Sequence, residues 1–152
     1  MPRQLIVMRH AKSSWDDPSL SDHDRPLNPR GLRDAPRMAD TIDGLGWKPQ
    51  LILVSSSTRT RQTLDCMSHI LSDVSTEIRE GIYHAGLTDL LHELRDMLDD
   101  GITMIIGHNP GSEILINHLS GEWHSMPTAA AAFLSEFDGK WTVENVLRPK
   151  EI

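Results

Sequence analysis

Leu5-Ile6-Val7-Met8-Arg9-His10 sets the reading of the whole chain. Four apolar residues stop abruptly at an arginine and a histidine. An apolar run of this length without alternation predicts a strand buried on both faces, as in a parallel sheet. Two later runs end in the same way. Leu51-Ile52-Leu53-Val54 breaks at Ser55-Ser56-Ser57, and Ile102-Thr103-Met104-Ile105-Ile106 breaks at Gly107-His108-Asn109-Pro110. Helical patterns alternate with these strands. Arg30 to Leu45 has helical spacing, with Leu32, Met38, Ala39 and Ile42 facing inward and Pro36 inside the span. Thr58 to Leu71 presents Leu64, Met67 and Leu71, and Leu87 to Leu98 presents Leu90, Leu91, Leu94 and Leu98. Gly111 to Leu119 follows Asn109 as cap and Pro110 at the first helical position.

Glu77-Ile78 is a candidate for a further strand. Thr128 to Phe137 holds four alanines, yet Phe133, Ser135 and Phe137 alternate with Leu134 and Glu136, so it reads as a strand. Trp141 to Leu147 pairs with it across Asp138-Gly139, a hairpin signal. The expected fold is α/β: a three-layer α/β/α sandwich around a mostly parallel central sheet. No repeat, linker or low-complexity tract interrupts residues 1–152, which predicts one domain.

The chain has 152 residues and a formal net charge of -7. That balance disfavours nucleic acid or an anionic membrane as partner, since both require a positive face. No apolar run approaches the roughly 20 residues of a membrane span. The single cysteine, Cys66, excludes an intrachain disulfide and fits a buried thiol in a reducing compartment. The N-terminal residues do not read as a signal peptide, so the expected location is the cytoplasm. Eight histidines are present, but none forms a metal-ligand pattern, so neither metal nor cofactor is expected.

In an open parallel sheet the carboxyl ends of the strands share one edge, where ligands bind. Arg9, His10, Arg59 and His108 all follow such ends. Each alone reads as a solvated strand or helix end. Together they form a positive cradle in an acidic chain, and guanidinium forks match phosphoryl oxygens. A neutral histidine there is a competent nucleophile, and flanking arginines disfavour its protonation.

Three segments carry a resemblance. Leu5 to Ser13 resembles the strand and R-H-G motif of the histidine phosphatase (phosphoglycerate mutase-like) superfamily, with Ala11 in place of glycine. Ser55 to Leu64, with Arg59 before Gln62-Thr63, resembles its S-x-x-x-R-x-x-Q-T motif. Ile105 to Pro110 resembles the segment carrying its second histidine. The short length, Arg25-Pro26-Leu27-Asn28-Pro29-Arg30-Gly31 and His108-Asn109-Pro110-Gly111 look most like the SixA-type phosphohistidine phosphatase branch.

The resemblance implies a phosphoglycerate mutase-like fold and a metal-independent phosphatase with His10 as covalent nucleophile. It implies Arg9, Arg59 and His108 as phosphate-pocket residues, with Ser13 and Asn109 beside them. Asn109 stands where some branches carry an aspartate acid. Another branch takes its acid from a glutamate in a segment resembling Arg79-Glu80-Gly81, which makes Glu80 the candidate proton donor. The implied partner is a phosphorylated protein such as a histidine phosphotransfer domain. A small phosphate ester is the alternative substrate, and a phosphate-binding module without turnover is the third reading. Tyr83-His84 and Trp15 remain candidates for the pocket rim.

Overall fold

The computed structural model describes residues 2–152. Six strands form one sheet: β1 (Arg3–Arg9), β2 (Leu51–Ser55), β3 (Ser75–Arg79), β4 (Gly101–Gly107), β5 (Ala131–Phe137) and β6 (Lys140–Leu147). Their order is β3-β2-β4-β1-β5-β6. The first four are mutually parallel, and β5 and β6 run antiparallel. The central position of β1 explains its unbroken apolar run, because Leu5, Ile6, Val7 and Met8 are buried from both sides.

Five α-helices cover the two faces: α1 (Pro29–Gly44), α2 (Thr58–Asp65), α3 (Ser68–Leu71), α4 (Leu87–Glu93) and α5 (Gly111–Ser120). Met38, Ala39 and Ile42 of α1 join Met67 and Leu71 against Ile6, Met8, Ile52, Met104 and Phe133. Leu90 of α4 and Leu115 and Ile116 of α5 pack on the opposite side against Leu5, Val7, Leu53, Ile105 and Leu134. Alternate residues of each strand thus feed two cores, as the period of a strand requires. This is the expected three-layer α/β/α sandwich, with the antiparallel pair as a hairpin at one edge. Asp138 and Gly139 both take positive φ, 52° and 77°, as the tight turn between β5 and β6 demands.

Four local expectations change. Leu32 is 50% exposed, because α1 turns Gly31, Asp34 and Ala35 inward instead. Pro36 is tolerated within α1, since the carbonyl it leaves without a donor belongs to exposed Leu32. The helix expected over residues 58–71 breaks at Cys66 and Met67, where the Met67 N–H turns tightly back to the Leu64 carbonyl. Cys66 is consequently only half-buried. The helix expected over residues 87–98 narrows to a 3-10 turn at Leu94–Asp96.

Candidate active site

Strand register builds the site. Arg9 lies opposite Gly107 across β1 and β4, and Val54 lies opposite Ile106 across β2 and β4. The next residues, His10, Ser55 and His108, therefore emerge together at the carboxyl edge. The His10 N–H donates to the Gly107 carbonyl at 3.0 Å, and the His10 and His108 rings lie 5.3 Å apart between centroids. Both rings are buried, 6% and 8% exposed.

Helix α2 supplies the second arginine. Ser57 caps it by accepting the Thr60 N–H, and Arg59 follows one residue inside the helix, 4% exposed. The rest of that motif is structural. Thr63 Oγ1 accepts the Ala11 N–H at 2.9 Å, and Gln62 Oε1 accepts the Leu27 N–H at 2.8 Å. Gln62 and Thr63 thus hold both ends of the long loop that follows the histidine. Ala11 lies outside the positive-φ residues, so the residue it replaces was not needed for backbone freedom.

The stretch Arg25 to Gly31 closes the same loop. The Asn28 side chain caps α1 by accepting the Gly31 N–H, and the Asn28 N–H donates to the Lys12 carbonyl at 2.9 Å. A Cβ on Gly31 would fall 2.2 Å from that carbonyl, so the close approach requires glycine.

The pocket at this edge has a volume of about 190 Å³. It is lined by Arg9, His10, Ser13, Arg59, His108 and Asn109 among the expected residues, and by Lys12, Trp15, Arg25, His84 and Thr128 as well. The His10 Nδ1–H donates to the Ala11 carbonyl at 2.6 Å, which leaves Nε2 with its lone pair free. Burial lowers the His10 pKa to about 4, and the charges of Arg59, Arg9 and Arg25 push in the same direction. His108 falls to about 3 through burial, the neighbouring His10 and Arg59. Both imidazoles are neutral at pH 7.

The arginines are anchored through their terminal N–H groups and unpartnered at Nε. Arg9 donates one terminal N–H to the Met126 carbonyl. Arg59 donates to the Asp22 carbonyl at 2.7 Å and to Asp22 Oδ2 at 3.1 Å, with His108 Nδ1 at 3.4 Å. The Nε–H of both arginines is buried without a partner. Two orphan charged donors beside an unprotonated imidazole are the signature of a site built for an anion.

Ser13 Oγ accepts from Arg25 at 2.9 Å, so its own proton remains available to a ligand. Asn109 is placed differently from expectation. Its Nδ2 donates to the Met126 carbonyl at 2.8 Å, so it cannot cap α5, whose N-cap is Pro110. Its Oδ1 is buried without a partner, and the second Nδ2–H remains unassigned beside the pocket that Asn109 lines. Glu80 is exposed and does not line the pocket. The 3-10 turn Glu80–Ile82 carries Tyr83 and His84 to the site in its place.

Sequence reasoning missed Asp22. Its carboxylate accepts from Arg59, Arg25 and the Tyr83 hydroxyl, the last at 2.6 Å, and His84 Nε2 lies 3.3 Å away. Burial opposes its charge, but Tyr83 and Arg59 outweigh burial and hold its pKa well below the usual carboxylate range. Asp22 sits in a polar loop whose sequence carries no spacing signal; only the fold brings it to Arg59.

A buried histidine with a free nitrogen shares a pocket with two arginines at the carboxyl edge of a parallel sheet, an arrangement suited to a phosphoryl group. Residues 5–90 match the histidine phosphatase superfamily, branch 1. The chain belongs to that superfamily, and it is a hydrolase of the phosphatase class. An uncharacterized chloroplastic protein of Arabidopsis thaliana is 39% identical over 150 residues, covering 91% of this chain and 69% of that protein. A crystal structure assigned as phosphohistidine phosphatase SixA from Agrobacterium tumefaciens superposes with a TM-score of 0.88 at 27% identity, covering 98% of this chain and 99% of that one. The protein histidine phosphatase SixA complexed with tungstate superposes with a TM-score of 0.84 at 25% identity, covering 97% and 98%. Within the superfamily the chain is of the SixA type.

Proposed function

We propose that this phosphatase dephosphorylates phosphohistidine on a protein, through a covalent intermediate on His10 and without a metal. The observation that carries the reading is the free Nε2 of a neutral, buried His10 beside two unpartnered arginine N–H groups.

The proposed sequence has two displacements. His10 Nε2 attacks phosphorus, the bond to the substrate nitrogen breaks, and the substrate imidazole leaves with its electron pair. Water then attacks the phosphoryl group on His10, releasing inorganic phosphate and restoring neutral His10, with the surplus proton passing to solvent. Arg9 and Arg59 point fixed positive charge at the transferring oxygens, usually the largest catalytic contribution. This charge does the work a metal does elsewhere.

His108 holds the cradle in position: its Nδ1 accepts from Arg59, and its Nε2–H donates to Ser55 Oγ at 2.8 Å.

The exposed position of Glu80 and the absence of an aspartate at Asn109 favour a leaving group that departs without a strong acid. A phosphorylated imidazole, protonated on its second nitrogen, leaves as a neutral molecule; an alkyl ester does not. The proposed location is the cytoplasm. Among the described residues no helix is long and apolar enough to cross a membrane.

The test is phosphate release from a histidine-phosphorylated phosphotransfer domain and from an aryl phosphate, with His10→Ala as control and a chelator in parallel. Faster release from the phosphoprotein, lost in His10→Ala and unaffected by the chelator, is expected. Preference for the aryl ester would move the substrate to small phosphate esters.

A further inference from the structure

The loop after the nucleophile holds a large exposed aromatic beside the pocket. Trp15 is 72% exposed, the most exposed large hydrophobic residue among the described residues, and it lines the mouth of the site. An indole left in water forgoes the free energy of burying a large apolar surface. Its position is fixed nevertheless. The Arg25 guanidinium lies 3.4 Å from the centre of the ring, a close cation–π contact.

Arg25 is itself immobile. It is buried, and it donates to Ser13 Oγ, to the Ser14 carbonyl and through two N–H groups to Asp22 Oδ1. The loop beneath is pinned by the Ser14 N–H on the Pro26 carbonyl and by the bridge between Ser13 and Leu27. One face of the indole therefore rests on a rigid plane, and the other face is open. A rigid amphipathic ring with few torsions is the usual anchor of a recognition surface.

The pocket is too small for more than the phosphoryl group and the side chain that carries it. At about 190 Å³ it falls below the range of sites that enclose a drug-sized molecule. Anything attached to that side chain must leave over the rim, where Trp15 stands.

We propose that Trp15 is a specificity-determining residue: its free face stacks on a lysine or arginine that neighbours the phosphorylated side chain of a protein substrate. The indole would then be sandwiched between two cations, Arg25 from this chain and one from the substrate. The proposal rests on the phosphoprotein reading above and names what that substrate carries beside its phosphoryl group.

The experiment compares two histidine-phosphorylated peptides, identical except for lysine or alanine beside the phosphohistidine. The wild-type protein, Trp15→Ala and Trp15→Phe are assayed on both. Wild type is expected to favour the lysine peptide by about tenfold in kcat/KM, through KM. Trp15→Ala is expected to erase that ratio, and Trp15→Phe to keep part of it. Equal rates of wild type on both peptides, or an unchanged ratio in Trp15→Ala, would overturn the proposal. So would an equal loss on both peptides with the ratio intact. If neither phosphohistidine peptide is hydrolysed, the phosphohistidine reading fails, and phosphotyrosine peptides with the same flanks decide the Trp15 question. A Trp15-dependent lysine preference there sustains the proposal, and none overturns it.

Discussion

At the scale of single residues, the proposed chemistry depends on keeping His10 unprotonated and aimed. Burial and three arginines lower its pKa to about 4, from the ordinary 6.5. Protonation would remove the proposed nucleophile, so activity should be lost as pH falls through the folded-state pKa. The acid limb of kcat/KM on a substrate that does not titrate there should therefore bend near pH 4, well below 6.5. A bend near 6.5 would mean that His10 is solvated in the working enzyme. Arg59 permits a second test. Its fork is fixed by two contacts to Asp22, and its Nε–H is buried without a partner. Arg59→Lys keeps the charge but not the fork, so kcat/KM should fall by roughly 10²-fold. Steady-state kinetics on the aryl phosphate would measure that loss.

At the scale of elements, strand ends place the histidines and helix starts place the supporting contacts. Because Arg9 faces Gly107 in register, a slip by one residue would turn His10 away from His108. The long loop has little regular structure and relies on Gln62, Thr63, Asn28 and the close approach at Gly31. Gly31→Ala would set a methyl group against the Lys12 carbonyl. The expected outcome is a shifted loop, with weaker phosphate inhibition and a loss of about 2 kcal/mol in stability by urea unfolding. Asn28→Ala removes the cap alone and should cost about 1 kcal/mol.

These elements were legible in the sequence to very different degrees. The buried parallel strands announced themselves through unbroken apolar runs, and Arg9, His10, Arg59 and His108 through the way those runs end. The interruption at Cys66 left no mark, because Leu64, Met67 and Leu71 keep helical spacing across a break. Asp22 was illegible for another reason: it lies 61 residues from Tyr83, and only the packed loops bring the two side chains to 2.6 Å. Glu80 shows the converse. A motif glutamate is present, but the 3-10 turn that it opens delivers Tyr83 and His84 to the site.

At the scale of the whole molecule, an acidic chain encloses a cationic pocket, and folding carries an electrostatic cost there. His10 and His108 are neutral in the folded state down to about pH 4 and 3, whereas the unfolded chain takes up protons on both near 6.5. Between those values the unfolded state binds more protons, so stability rises with pH across that window. Full stability from these groups is present above about pH 6.5 and is lost progressively as pH falls to 4 and below. Each histidine contributes on the order of 3 kcal/mol to the change. Urea unfolding of wild type and His10→Ala at pH 7.5 and 4.5 would read it: the variant should lose less stability on acidification.

The central claim is that His10 becomes covalently phosphorylated during turnover. The most direct measurement quenches the working enzyme in alkali, where a phosphohistidine survives, and maps the modified peptide by mass spectrometry. One phosphoryl group on the peptide containing His10, absent from His10→Ala and discharged by acid, is the predicted result. Full turnover with no phosphoryl group on His10 at any quench time, or turnover retained by His10→Ala, would contradict it.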